Sequence, residues 1–112
     1  ISRNRVTEEH AEVTILKPEH PVLNYPNKIT AKDFEGWIQE RSVYEADQVD
    51  PAFVSILGMH DANETQRTGS LIVADYGKGK FIYSAIVFFR ELPAGVPGAY
   101  RLMANLLAPR QQ

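Results

Sequence analysis

The stretch 69–107 constrains the fold of this 112-residue chain more than any other part of the sequence. It reads GSLIVADYGKGKFIYSAIVFFRELPAGVPGAYRLMANLL, in which two apolar runs flank a Gly-Lys-Gly turn. Such a pattern is typical of a β-hairpin, because glycine tolerates the positive φ that tight turns require. We therefore predict antiparallel strands at 70–75 and 80–88. The second strand is apolar almost throughout, which predicts a central position in a sheet.

One amphipathic helix is predicted directly after the hairpin. Pro97 suits the first turn of a helix, and Pro109 ends it. Between these two prolines, apolar residues recur at helical spacing; they are Ala99, Leu102, Met103, Leu106 and Leu107. If the chain is stable by itself, this helix must cover most of the apolar face of the hairpin.

The rest of the chain supplies shorter elements. Strands are predicted at 12–16 and 52–58, and the segment 42–45 is ambiguous between strand and loop. A short helix is predicted at 31–36, and three prolines make 17–28 an ordered extended loop. Together these elements predict an α/β fold, with a mixed sheet of about five strands, a central hairpin and a C-terminal helix packed on one face.

Composition places the chain among small globular domains. A length of 112 residues allows one domain with a modest core, and a hydrophobic content of 44% argues against disorder. The net charge of −2 provides no basic footprint for nucleic acid and no polybasic patch for a membrane surface. No apolar run approaches the roughly 20 residues that span a bilayer. We therefore expect neither nucleic acid nor a membrane as a partner.

The sequence contains no recognisable catalytic set. Cysteine is absent, which excludes disulfides, thiolate metal sites and cysteine nucleophiles. The three histidines lack a metal-binding spacing such as H-E-x-x-H, and no G-x-S-x-G elbow marks a serine nucleophile. The glycines at 77–79 lead into a strand, so we interpret them as a turn and not as a phosphate loop. We predict no catalytic residue, no metal ligand and no cofactor.

Two polar clusters supply the candidate binding residues, which are Trp37, Glu40, Arg41, His60 and Asp61. Trp37 could stack on a sugar, although aromatic residues in a small domain more often belong to the core. Arg41 could instead pair with a nearby carboxylate and fix its loop. The His60-Asp61 pair could supply ligands or an acid and a base, although a solvated loop is the more common role of such a pair.

Three strings between His20 and Ala108 resemble a known family. They are HPVLNYPNKIT-x-x-DFEGWIQERSVY at 20–44, LGMHD at 57–61 and GSLIVADYGKGKFIYSAIVFFRELPAGVPGAYRLMANLLA at 69–108. They resemble the C-terminal region of bacterial (Bacteroidetes-like) PIG-L/LmbE-type deacetylases. In those long proteins a zinc-dependent N-acetyl-sugar deacetylase domain precedes further modules. The last module is similar to the class I glutamine-amidotransferase-like (ThuA-like) domains, which have a flavodoxin-like architecture.

The resemblance implies an accessory role and no catalysis. The deacetylase motif A-H-P-D-D is absent, since His20-Pro21 is followed by Val22, and the amidotransferase cysteine has no counterpart. The resemblance therefore implies a non-catalytic domain that aids carbohydrate binding or assembly beside upstream domains of the same polypeptide. In that setting the five candidate residues would contact carbohydrate.

Two alternatives stay open at the level of sequence. The chain could be a fragment of an amidotransferase-like enzyme domain that completes an upstream active site, or a structural domain that self-associates. We expect a linker or incoming arm at 1–11, a single α/β domain at 12–108 and a tail at 109–112. The start Ile-Ser-Arg-Asn-Arg predicts a piece of a longer protein, or a chain whose signal peptide was removed. The compartment is left open, and a periplasmic or secreted location of the longer protein is compatible with the sequence.

Overall fold

The structure is a computed structural model that describes residues 2–8 and 10–109. Within this part of the chain, one strand is followed by two 3₁₀ turns, then by four strands and finally by two helices. The strands are β1 (Val13–Ile15), β2 (Val54–Ser55), β3 (Leu57–Met59), β4 (Leu71–Tyr76) and β5 (Gly79–Ser84). The helical elements are two 3₁₀ turns, Pro21–Leu23 and Ala31–Phe34, followed by α1 (Phe88–Glu91) and α2 (Pro97–Leu107).

The five strands form two antiparallel sheets. In the first sheet β1 pairs with β3, and in the second β4 lies between β2 and β5. Ile56 connects the two sheets, because its N–H donates to the Leu71 carbonyl while its own carbonyl accepts from the Leu16 N–H. The predicted α/β class with five strands, a hairpin and a C-terminal helix is confirmed. The expectation of one mixed sheet is corrected to two sheets in which every pairing is antiparallel.

The hairpin forms as predicted, but its second strand is not central. β4 and β5 pair from Leu71 opposite Ser84 to Tyr76 opposite Gly79, and Gly77 in the turn has φ 56°. Among the described strands β5 pairs with β4 alone, so it lies at the sheet edge and β4 at the centre. The apolar residues 85–88 were predicted to continue this strand. They leave it instead, and Ile86 bridges to Ser42.

The N-terminal segment is packed into the domain. Val6 is fully buried, and its N–H donates to the Ser42 carbonyl at 3.0 Å. Ser42 in turn bridges to Ile86, so that three separate segments lie side by side. The segment predicted as a linker or incoming arm therefore contributes to the core through its described residues. Residues 110–112 of the predicted tail lie outside the described part of the chain.

The helix α2 packs mainly on the two 3₁₀ turns. The turn Ala31–Phe34 begins with a capping box between Thr30 and Asp33. Asp33 also accepts a hydrogen bond from Nε of Arg101 on α2 at 2.8 Å. The C-terminal end of α2 reaches the hairpin, where Nζ of Lys80 donates to the Asn105 carbonyl at 3.1 Å.

A single hydrophobic core joins these elements. It includes Leu23 from a 3₁₀ turn, Leu57 and Leu71 from the two sheets and Leu102 from α2, all of them fully buried. Because both sheets and both turns share this core, the loops between them are held in fixed positions. Among the described residues, none of the helices has the length and apolar character needed to cross a membrane.

A buried carboxyl group lies beside the N-terminal segment. The side chain of Glu45 is 1% exposed, and its Oε2 lies 3.9 Å from Nε of Arg67. Burial raises the pKa of Glu45 above its ordinary value of 4.5, because the charged form loses hydration. The Ser42 hydroxyl and the Arg67 guanidinium oppose this shift but do not cancel it.

We expect Glu45→Gln to stabilise the domain at neutral pH and much less in acid. A carboxyl whose pKa is raised on folding stabilises the native state below its unfolded pKa, and this contribution is lost as pH rises through the folded pKa. Glutamine is neutral throughout, so the difference in Tm between variant and wild type should be positive at pH 8 and shrink towards pH 4. Thermal unfolding across this range measures the difference in Tm, with Glu12→Gln at an exposed position as the control. A difference that grows in acid would contradict this account of Glu45.

Candidate functional site

Trp37 is a core residue in the structure. Its side chain is 2% exposed, and its Nε1 donates to the Asp33 carbonyl at 2.7 Å. The ring packs against Phe34 and Phe88 at centroid distances of 5.6 and 6.3 Å. The indole therefore presents no open face on which a sugar could stack.

Arg41 and Glu40 also make internal contacts. Arg41 is buried, its guanidinium lies 6.0 Å from the Trp37 ring centroid, and Nη1 donates to the Phe34 carbonyl at 2.8 Å. Oε1 of Glu40 lies 3.5 Å from Nη2 of Arg90. Through this hydrogen bond Arg41 contacts the last residue of the second 3₁₀ turn.

His60 and Asp61 lie elsewhere, against the N-terminal segment. The Asp61 carboxylate accepts hydrogen bonds from the Thr7 N–H, the Thr7 hydroxyl and the Glu8 N–H, at 2.7 to 3.0 Å. Burial alone would raise the pKa of Asp61, but these hydrogen bonds lower it below 3.8. The Nδ1 of His60 lies 2.8 Å from the Asp61 carbonyl oxygen. The structure therefore brings Trp37 and Arg41 together, while Asp61 holds the N-terminal segment.

A different concavity lies between the hairpin and the loop 17–28, which we call the proline-rich loop. Its volume is about 240 Å³, and we call it the His20 pocket. Its lining consists of His20, Pro21, Val22, Tyr25, Val73, Asp75, Lys80 and Pro109. Val22 and Val73 are buried and make part of the lining apolar, while four other side chains supply polar groups. An apolar pocket with a few convergent polar groups is typical of a small-ligand site.

His20 is held by the start of a 3₁₀ turn. It is the N-cap of Pro21–Leu23, and its Nδ1 accepts the Val22 N–H at 3.2 Å. Because Nδ1 acts as an acceptor, the neutral ring carries its proton on Nε2. Burial lowers the pKa of His20 below 6.5, with Asp75 opposing this shift and Lys80 adding to it. The imidazole is therefore a neutral N–H donor at pH 7.

Lys80 supplies a cation opposite this loop. It faces Asp75 across the β4–β5 pair, and its Nζ donates to the Asn105 carbonyl. Burial lowers the pKa of Lys80 below its ordinary value of 10.5, because the charged form loses hydration. Among the described residues, no carboxylate lies within ion-pair distance of Nζ.

Asn105 fixes the loop that forms one wall of the pocket. Its side chain is fully buried on α2. Nδ2 donates to the Val22 carbonyl at 2.8 Å and the Asn27 carbonyl at 2.7 Å, while Oδ1 accepts the Asn27 N–H at 2.9 Å. These bonds hold the proline-rich loop against the helix, so the pocket wall is held in place by the fold.

Sequence reasoning did not identify this pocket. None of the five candidate binding residues chosen from the sequence lines it. One signal was available, because the two-residue turn 77–78 places Asp75 directly opposite Lys80. The approach of the loop to this end of the hairpin depends on tertiary contacts that have no local signature.

The described residues contain no arrangement typical of a metal centre. In 2–8 and 10–109, no group of three or more His, Cys, Asp and Glu side chains could hold a metal ion. Comparison of the chain with protein-family models, curated proteins and solved structures finds no match. The resemblance to the deacetylase C-terminal region therefore remains a prediction from sequence.

Proposed function

We propose that this chain is a non-catalytic accessory domain of a PIG-L/LmbE-type N-acetyl-sugar deacetylase, and that it binds carbohydrate in the His20 pocket. The observation that carries the proposal is that Tyr25, Asp75, Lys80 and His20 line one concavity together with apolar residues. The volume of about 240 Å³ is below the roughly 300 Å³ at which pockets for drug-sized ligands begin. This size suits a single sugar ring.

The chemistry of the lining matches the chemistry of a sugar. A sugar ring has hydroxyl groups that donate and accept hydrogen bonds, and C–H faces that pack on aromatic rings. Tyr25 is 43% exposed, so its ring is accessible for such packing. Lys80 and His20 supply N–H donors, and the Asp75 carboxylate supplies acceptor oxygens.

His20 is poorly suited to act as a general base in this pocket. A general base needs a free acceptor nitrogen or oxygen within reach of the proton that it removes. In the neutral His20 ring, the acceptor nitrogen Nδ1 is already bonded to the Val22 N–H. The described residues that line the pocket include no serine, threonine or cysteine that could act as a nucleophile.

The self-association alternative remains a prediction. Its natural surface is the edge of the sheet formed by β5, where Phe81 is exposed.

We expect Tyr25→Ala to weaken sugar binding and Tyr76→Ala to leave it unchanged. Loss of the ring that packs on the sugar should weaken affinity about tenfold, which corresponds to about 1.4 kcal/mol. Tyr76 is a suitable control, because it is 82% exposed on the same hairpin and does not line the pocket. Affinities for N-acetylglucosamine and glucose are measured by NMR titration of each protein.

The two tyrosine variants separate a specific site from weak surface binding. Equal losses in both variants would point to nonspecific contact with exposed aromatic rings. An unchanged affinity in Tyr25→Ala would mean that the sugar does not pack on this ring, and would contradict the proposed site.

A further inference from the structure

The ammonium group of Lys80 is incompletely compensated. Among the described residues its Nζ has one hydrogen-bond acceptor, the Asn105 carbonyl, and no carboxylate within ion-pair distance. An ammonium has three N–H donors, so two remain for other partners. Partial burial makes an unneutralised charge costly, and an anion that enters the pocket would reduce this cost.

His20 adds a second donor to the same pocket. Its Nδ1 is bonded to the Val22 N–H, which leaves the Nε2–H for a ligand. Both His20 and Lys80 line the His20 pocket. A negatively charged ligand oxygen can therefore accept hydrogen bonds from the charged Lys80 ammonium and from the neutral His20 Nε2–H.

Asp75 limits the charge that the pocket accepts. It faces Lys80 across the hairpin and adds a negative charge to the lining. A dianion such as phosphate would be repelled by this carboxylate more strongly than a monoanion. The carboxylate of Glu19, in the same loop as His20, is also negative and, like that of Asp75, raises the pKa of His20. The balance of charges therefore favours a carboxylate.

We propose that the His20 pocket binds an acidic sugar, a uronic acid whose carboxylate lies between the Lys80 ammonium and the His20 Nε2–H. This inference rests on the proposed carbohydrate-binding function and adds the class of ligand. The sugar ring packs on Tyr25, and the Asp75 carboxylate accepts a hydroxyl group. Lys80 determines the preference for an acidic sugar over a neutral one.

The test is a set of NMR titrations at pH 7 with glucuronate, glucose, glucose 6-phosphate and acetate. Wild type should bind glucuronate about tenfold more tightly than glucose, since hydrogen bonds to charged groups are stronger than neutral ones. Lys80→Gln keeps a donor for the Asn105 carbonyl but removes the charge, so it should abolish the preference. Lys80→Arg should retain it, and Lys78→Gln in the exposed turn is the matched control.

The outcomes test the acidic-sugar assignment separately from the carbohydrate-binding function on which it rests. Equal binding of glucose and glucuronate at the pocket, or an equal loss of both in Lys80→Gln, would overturn the acidic-sugar assignment and leave the carbohydrate site standing. Tighter binding of glucose 6-phosphate would also overturn it in favour of a phosphate. Acetate binding as tightly as glucuronate would mean that the ring adds nothing, and would overturn the carbohydrate function. No binding of any ligand would overturn both.

Discussion

Gly98→Ala is expected to destabilise the domain by about 3 kcal/mol or more, because no side chain fits at this position. A Cβ atom at residue 98 would lie 1.6 Å from the Asp33 carbonyl oxygen and 2.3 Å from its carbon. Both are backbone atoms, so relief requires that α2 separate from the turn Ala31–Phe34. In an exposed helix the same substitution would stabilise by about 1 kcal/mol. A loss of stability in Gly98→Ala would therefore show that α2 packs closely against the turn Ala31–Phe34.

Gly79→Ala is the matched control for this experiment. A Cβ at residue 79 would have the Tyr76 oxygen as its nearest neighbour, at an ordinary contact distance of 3.7 Å. Its effect should stay within about 0.5 kcal/mol. Urea unfolding followed by circular dichroism measures both variants. A Gly98→Ala protein as stable as the wild type would show that α2 does not approach the turn this closely.

Asn105→Ala is expected to cost about 3 kcal/mol, because it leaves several buried backbone groups without partners. The side chain serves the Val22 carbonyl together with the N–H and carbonyl of Asn27. In the variant, the buried Val22 carbonyl and the partly buried N–H and carbonyl of Asn27 lose these partners, and the proline-rich loop loses its attachment to α2. The expected result is a lower unfolding midpoint in urea and a loosened wall of the His20 pocket.

Leu107→Ala tests whether this loss is specific to the buried amide. Leu107 lies on the same helix but is 78% exposed, so its truncation should change stability by no more than about 0.5 kcal/mol. Similar losses in the two variants would indicate a general sensitivity of α2. In that case Asn105 would have no special role in holding the loop.

The local elements of the fold could be predicted from sequence because their signals are local. Pro97 and Pro109 delimit α2, and the glycine-containing turn at 77–78 sets the register of the hairpin. The capping box of Thr30 and Asp33 likewise lies within four residues. Each of these features depends on backbone preferences or on contacts between near neighbours in the chain.

The arrangement of the strands depends on contacts between distant residues. The apolar residues 85–88 predicted a central strand, but their burial arises from Ser42 and its neighbours, which also pair with Val6. The hydrophobic content of a segment predicts that the segment is buried, but it does not predict which other segment covers it. The division into two sheets at Ile56 has no sequence signal that we recognise.

The His20 pocket likewise depends on contacts between residues that are distant in the sequence. Residue types with binding chemistry drew attention to Trp37, Arg41 and Asp61, which the structure engages in internal contacts. The His20 pocket combines residues from the proline-rich loop with residues of the hairpin more than 40 positions away in the sequence. Only the pairing of Asp75 with Lys80 follows from the register of the hairpin.

The central claim is that ligand binds between the proline-rich loop and the hairpin. The most direct measurement is an amide chemical-shift map of the wild-type protein titrated with glucuronate at pH 7. The account predicts that the largest shifts cluster at 20–25 and 73–80, with smaller ones near Asn105. No shifts, or shifts confined to 34–41 and 57–61, would contradict it.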